Sequence, residues 1–305
     1  MDRRSFLRLT GAVNVSGLAA ACTSPGLPGG TASLESQMEI SPSTPAAGSK
    51  ALGGSRPGEV IAGLYRLAGI RGVNAYLWMS RSEHPDPGEI ILFDCGWPWS
   101  DRGLAAGLDA LGTRPLDVRA IAVTHGDFDH VGQLAAFAAQ SGAEIIAHEL
   151  EAPRLSSDQW RVLPGAGTSL DPVILAAGPL YRLWPARPVK VTRPIRDGAE
   201  IGEGWIAVHT PGHTPGHTAF FHPALRVLIA GDALGSVRNN QVRLPKRIYA
   251  EDWAAALRSV QRLAELRPDV ICFGHGRELH NASAPLQALA KSLSAGQPGL
   301  KVRGM

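Results

Sequence analysis

Four side chains able to bind a metal ion fall within six residues of one another: His125, Asp127, Asp129 and His130, in the run Thr124-His-Gly-Asp-Phe-Asp-His130. The run directly follows an apolar stretch, Ala120–Val123, that reads as a strand. In a tight turn from strand to helix, alternating residues can aim at one point. Neutral imidazoles and carboxylates together suit Zn²⁺, Fe²⁺ or Mn²⁺. A lone histidine is usually a satisfied core or surface residue; four such donors this close are poorly explained that way.

Further polar residues stand just past other apolar runs. Asp94 follows Ile90–Phe93, Asp232 follows Val227–Gly231, and His275 follows Val270–Gly274. His213 and His217 lie in the repeat Thr210-Pro-Gly-His-Thr-Pro-Gly-His217. Strand ends are where a rigid scaffold holds chemical groups at fixed positions.

The elements that would carry them are short. Val60–Leu67, Val73–Met79, Ile90–Phe93, Ala120–Val123, Glu144–Ala147, 205–209, 218–221, 226–230 and 269–273 read as strands. Residues 81–88, with two prolines, read as a turn that includes His84. Leu104–Leu111 and Leu134–Gln140 read as helices, the second ended by Gly142. Asp252–Leu266 is the clearest helix. Asp252 is placed to cap it, Trp253, Leu257, Val260, Leu263 and Leu266 share a face, and Pro268 stops it. Residues 150–198 show no strand pattern and read as a partly helical insertion carrying Trp160, Tyr181 and Trp184. With the loop 233–250, which holds Arg238, Arg243 and Lys246, it would wall a pocket for a substrate with an apolar group.

The order Asp94, His125/Asp127/Asp129/His130, His213, Asp232, His275 resembles the metallo-β-lactamase superfamily over nearly all of 59–280. The repeated Thr-Pro-Gly-His resembles its glyoxalase II-like hydrolases. The resemblance implies an α+β fold, an αββα four-layer sandwich of two mixed β-sheets flanked by helices, with two divalent metal ions at one edge. His125, Asp127 and His213 would hold the first ion and Asp129, His130 and His275 the second, with Asp232 bridging. Asp94 and His217 would orient ligands rather than bind metal. The implied chemistry is attack of a metal-bound hydroxide on an ester, thioester, lactone or amide carbonyl, with Asp129 as the catalytic carboxylate that orients the nucleophile. In one place the sequence departs from the family's usual His-x-His-x-Asp-His, because Asp127 stands where the second His belongs. Zinc is the expected metal, and the extra carboxylate admits manganese or iron. A phosphodiesterase or nuclease of the same fold, an iron-dependent oxygen or sulfur redox enzyme, and a non-catalytic binding module are the competing readings.

The first 22 residues read as an address. Arg3-Arg4-Ser-Phe-Leu resembles a twin-arginine export signal, and Leu18-Ala-Ala-Ala-Cys22 resembles a lipoprotein cleavage site with Cys22 as the lipid acceptor. A plain cleaved signal is the alternative. Residues 23–58 are more than half Gly, Pro and Ser and read as a flexible linker to a domain at 59–305. The expected location is exported, periplasmic or at the cell surface, held to a membrane only through the N-terminal lipid. The expected partner is a small-molecule substrate. Thirty basic against 27 acidic residues leave a net charge of only +3, without a basic run, which argues against nucleic acid. Of three cysteines, Cys95 and Cys272 read as small core residues. Oligomeric state is not legible.

Overall fold

A computed structural model describes residues 58–68, 70, 72–80, 89–98, 100–157, 187–238 and 241–294. The signal at 1–22 with Cys22, the linker up to residue 57, the turn with His84, and Trp160, Tyr181 and Trp184 lie outside these residues.

Strands β1 (Gly58–Ile61), β2 (Leu64–Arg66), β3 (Tyr76–Met79), β4 (Ile90–Phe93), β5 (Val118–Ala122), β6 (Glu144–His148) and β7 (Arg193–Ile195) form one seven-stranded sheet in chain order. The strands from β1 to β4 pair antiparallel, and those from β4 to β7 pair parallel. The second sheet contains β8 (Glu200–Gly202), β9 (Trp205–His209), β10 (Thr218–His222) and β11 (Val227–Gly231). A two-stranded ribbon of β12 (Gly235–Arg238) and β13 (Gln241–Arg243) follows. The second sheet is then completed by β14 (Val270–Phe273), parallel to β11, and β15 (Leu279–His280). Helices are α1 (Asp101–Asp109), α2 (Phe128–Val131), α3 (Leu134–Ser141), α4 (Ala152–Leu155), α5 (Trp253–Glu265) and α6 (Ser283–Ser294).

Three apolar cores make four layers. Side chains alternate across each strand, so every central strand feeds two cores. Ile91 and Phe93 of β4 face the space between the sheets, where they meet Trp205, Phe220, Ile229 and Cys272. Leu92 points the other way, to Leu104 and Leu108 of α1 and Phe137 of α3. On the far side, Leu228 and Ile271 meet Val260 and Leu263 of α5 and Leu286 of α6. Burial on both faces explains why these strands read as continuous apolar runs rather than alternating ones. The structure is the expected αββα sandwich. Cys95 and Cys272 sit in different cores, both buried and free. Among the described residues, no helix is long and apolar enough to cross a membrane.

Three local expectations need correction. Val60–Leu67 is a hairpin, not one strand: the chain reverses at Ala62-Gly63, where Gly63 has φ +87° and an added Cβ would lie 2.9 Å from Met79 O. Residues 150–198 hold α4 and the edge strand β7, which tolerates Pro194 because an edge strand can forgo an N–H. The buried face of α5 is Ala255, Ala256, Ser259, Val260, Leu263 and Ala264, with Trp253, Leu257 and Leu266 only half-buried. The reason lies in close packing. Ser259 donates to Pro211 O at 2.7 Å, and a Cβ on Gly212 would come within 2.2 Å of the Ala256 nitrogen. Only small residues allow that approach.

Candidate metal centre

Five strand ends meet at one edge of the sandwich. Asp94 leaves β4 in a left-handed turn (φ 58°) that folds its carboxylate back toward β5. The chain leaving β5 carries His125 and Asp127 into α2, which holds Asp129 and His130. The loop from β9 to β10 supplies His213 and His217, and the ends of β11 and β14 supply Asp232 and His275. The two sheets are stitched together here: Thr218 N–H donates to Thr124 O at 2.9 Å, and Asn74 N–H to Gly274 O at 2.7 Å.

Seven donor side chains converge. His213 Nε2 lies 3.0 Å and His125 Nε2 3.6 Å from Asp127 Oδ2. His275 Nε2 lies 3.5 Å from Asp129 Oδ2, and His130 Nε2 3.9 Å from the same oxygen. Asp232 stands between the two groups, its Oδ1 3.5 Å from His130 and its Oδ2 3.3 Å from His275 and 3.9 Å from His213. The ligand atoms of three triads each lie within 4.8 Å of one another: His125/Asp127/His213, His125/His130/Asp232 and Asp129/His130/His275. Gly274 makes the room, since a Cβ there would strike Asp232 Oδ1 at 2.2 Å.

The other ring nitrogens are anchored outside the cluster. His130 Nδ1 donates to Asp94 Oδ2 at 2.8 Å. Asp94 also accepts Thr124 N–H and Thr124 O–H, both at 2.8 Å. Because the Thr124 hydroxyl donates to Asp94, its oxygen accepts His125 Nδ1–H at 2.9 Å. His275 Nδ1 donates to Gly72 O. These bonds hold Nδ1 of each ring and aim Nε2 into the cluster, the nitrogen that can bind a cation once it gives up any proton.

The donors fit a metal ion. His125 Nε2 and His130 Nε2 are buried with no hydrogen-bond partner, a costly state that a cation relieves. Charge sharpens the point. Burial pushes the Asp127 carboxyl up, but hydrogen bonds and charge from His125 and His213 outweigh it and hold it well below the usual range. Asp232 is likewise held well below, burial being outweighed by His275 and His130. His130 is pushed up to about 10: burial opposes its charge, and Asp129, Asp232 and Asp94 overcome that. Burial, with His130 beside it, lowers His125. The set therefore gathers anionic oxygens around rings that compete for positive charge, as a cation site requires.

His217 is not a free donor. Its Nδ1 bonds Thr210 Oγ1 at 2.8 Å and its Nε2 accepts Asp232 N–H at 3.1 Å, so both nitrogens are used and it steadies the Asp232 turn. Burial and the neighbouring His125 push its pKa well down, as a neutral ring requires. Cys22 lies outside the described residues. Sequence reasoning missed Thr124, Gly72, Asn74 and Glu151. Thr124 stands beside His125, but its type alone does not announce the role. Asn74 bonds Phe273 O and Gly276 O on either side of His275, from a segment 199 to 202 residues away in sequence. No local signal points to such a contact.

The family model described as the metallo-beta-lactamase superfamily matches residues 69–275. The chain is 27% identical over 256 residues to the probable metallo-hydrolase YflN of Bacillus subtilis, covering 77% of this chain and 94% of that protein. It is 31% identical over 205 residues to human metallo-beta-lactamase domain-containing protein 1, covering 64% of this chain and 62% of that protein. Among solved structures, a metallo-beta-lactamase family protein of Thermus thermophilus superimposes with a TM-score of 0.58 at 26% identity, covering 78% of this chain and 81% of that one. A Cronobacter sakazakii metallo-beta-lactamase with an HARLDQ motif gives 0.52 at 25%, covering 79% and 84%. The matched span runs across both sheets and takes in all seven converging donors, and the chain belongs to the metallo-beta-lactamase superfamily.

Proposed function

We propose that this protein is an exported, metal-dependent hydrolase of the glyoxalase II-like kind, acting on an ester, thioester, lactone or amide carbonyl of a small molecule. The observation that carries the reading is the convergence of seven donors in overlapping triads, Asp232 lying within 3.9 Å of His213 on one side and of His130 and His275 on the other, with two buried imidazole nitrogens lacking a hydrogen-bond partner. In this reading His125, Asp127 and His213 hold one divalent ion, Asp129, His130 and His275 hold the other, and Asp232 reaches both. Zinc is the leading metal, with manganese or iron compatible with the carboxylate at 127. Such ions acidify a water and polarise a carbonyl.

The residues divide the remaining work. His275, 39% exposed in its side chain, and Asp129 and Asp232, 16% and 17% exposed, form the open side, whereas His125 and His130 are sealed beneath. Substrate therefore approaches from the His275 side. The Asp129 carboxylate would orient the attacking water and, through the oxygen not turned toward His130 and His275, accept its proton and pass it to the departing alcohol, thiol or amine. Asp94 and Thr124 hold His130 and His125 in the required tautomers.

The test is to express the full chain without added metal, measure zinc, iron and manganese per chain, and assay ester, thioester, lactone and β-lactam substrates. Two zinc or manganese ions with carbonyl hydrolysis support the reading. Iron with oxygen-dependent turnover would replace it with the redox alternative, and a chain with no bound metal would sink it. The export reading rests on the N-terminal motif. With Cys22→Ser, the protein should move from the membrane to the soluble fraction of the producing cell. An unchanged distribution would count against the lipid anchor.

A further inference from the structure

Glu151 is a fully buried carboxylate just past β6, outside the seven donors. Its Oε2 accepts Gly126 N–H at 2.9 Å, between His125 and Asp127. Its Oε1 accepts the Thr214 hydroxyl at 2.5 Å and Gly216 N–H at 3.1 Å, just after His213. Both loops are shaped to receive it. A Cβ on Gly126 would lie 2.9 Å from Glu151 Oε2, and one on Gly216 2.8 Å from Glu151 N. Arg154 Nε stands 3.9 Å away, and its Nη1 donates to Glu251 Oε1 at 2.9 Å. The Glu251 N–H returns to His213 O at 3.3 Å, closing a ring of contacts around the same loop. Two N–H groups, one hydroxyl and a nearby guanidinium are what a buried carboxylate needs to be stable.

The placement is selective. The triad His125/Asp127/His213 draws its donors from two loops of different sheets, and Glu151 binds a residue next to each of those donors, Gly126 between His125 and Asp127 and Thr214 beside His213. The other set hangs on different direct supports, Asp94 for His130 and Gly72 O for His275, and Asp94 touches the first set only through Thr124 and His125. We propose that Glu151 is a positioning residue for the first metal position alone: a buried carboxylate strap that holds the His125–Asp127 loop and the His213 loop at the separation one ion can bridge. This rests on the reading of those donors as metal ligands. A glutamine cannot replace it, because its amide NH₂ would face the Gly126 donor or the Thr214 and Gly216 donors, and one loop would lose its acceptor.

The experiment is a cobalt(II) titration of the chelator-stripped full chain, followed by visible absorption and by elemental analysis. Wild type should take up two equivalents. Glu151→Gln should keep one equivalent at wild-type affinity and bind the other about 10- to 100-fold more weakly, the usual effect of losing an outer partner of a metal ligand. Asp94→Asn should weaken both equivalents, the one held by His130 more strongly, because Asp94 braces His130 directly and His125 only through Thr124. Thr214→Val, of matching shape but without the hydroxyl, should shift the same equivalent as Glu151→Gln by a smaller factor, and it decides the matter if Glu151→Gln does not fold. Two equivalents at wild-type affinity in Glu151→Gln and Thr214→Val, or equal weakening of both, would overturn the proposal. Wild type binding no cobalt would overturn the metal-site reading itself, and the role of Glu151 with it.

Discussion

At the scale of single residues, the centre works through rings held from behind. Asp94 is the clearest case, because one carboxylate serves His130 directly and His125 through Thr124. Its left-handed backbone suits asparagine nearly as well as aspartate, so Asp94→Asn should fold normally. It should nevertheless lose about tenfold or more in metal affinity, because His130 loses a charged acceptor. Competition against a calibrated zinc chelator measures this, and unchanged affinity would show that Asp94 merely closes a turn. Asp127 adds charge as well as a ligand oxygen. If two divalent ions are held as proposed, three carboxylates and one hydroxide would balance them, and histidine at 127 would leave one positive charge over. Asp127→His should therefore make bound water more acidic and move the lower limb of the pH–rate profile to lower pH. A profile that stays in place would contradict that account.

At the scale of elements, α5 and the loop it packs against are the sensitive pair. Asp252 caps the helix by accepting Ala255 N–H at 2.9 Å, and Asp252→Ala should cost about 1 kcal/mol in chemical denaturation. Gly212 lies at φ +136° against the backbone of Ala256. Gly212→Ala has no room and an unsuitable backbone, so it should cost several times more, about 2–4 kcal/mol, and displace His213 as well. Gly142, the left-handed cap of α3, has open space around its missing Cβ. Gly142→Ala should cost only about 1 kcal/mol. Equal losses in the Gly212 and Gly142 variants would show that close packing at Gly212 is unimportant. The cap of α5 was legible in sequence because it is local. Its buried face was legible only at Val260 and Leu263, because the small residues facing Gly212 yield to the helix's larger apolar side chains in a hydropathy reading.

At the scale of the whole molecule, distant segments are tied by polar links as well as by the three cores. Asp197, between β7 and β8, accepts His209 N–H at 2.9 Å and Arg262 Nη2 of α5 at 2.8 Å. Burial raises its pKa, but these bonds outweigh that and hold it below the usual carboxylate value. A depressed folded pKa adds stability above the unfolded value of about 4, and that stability is lost as pH falls through the folded one. Asp197→Asn should thus lower the thermal midpoint at pH 7 modestly, as an exposed ion pair does, and the gap to wild type should close as pH falls below the ordinary carboxylate range. A gap independent of pH would mean that shape, not charge, is at work. The sequence by itself determined most strand positions and the order of the converging donors, because apolar runs and chemically rare residue types at strand ends are local signals, and the family resemblance those donors carry implied the fold class. The tertiary structure alone decided which nitrogen of each ring faces the cluster, that His217 is already saturated, and that Thr124, Asn74 and Glu151 brace the site. Those facts depend on hydrogen bonds between segments far apart in the chain, and such bonds exist only once the two sheets have closed on each other.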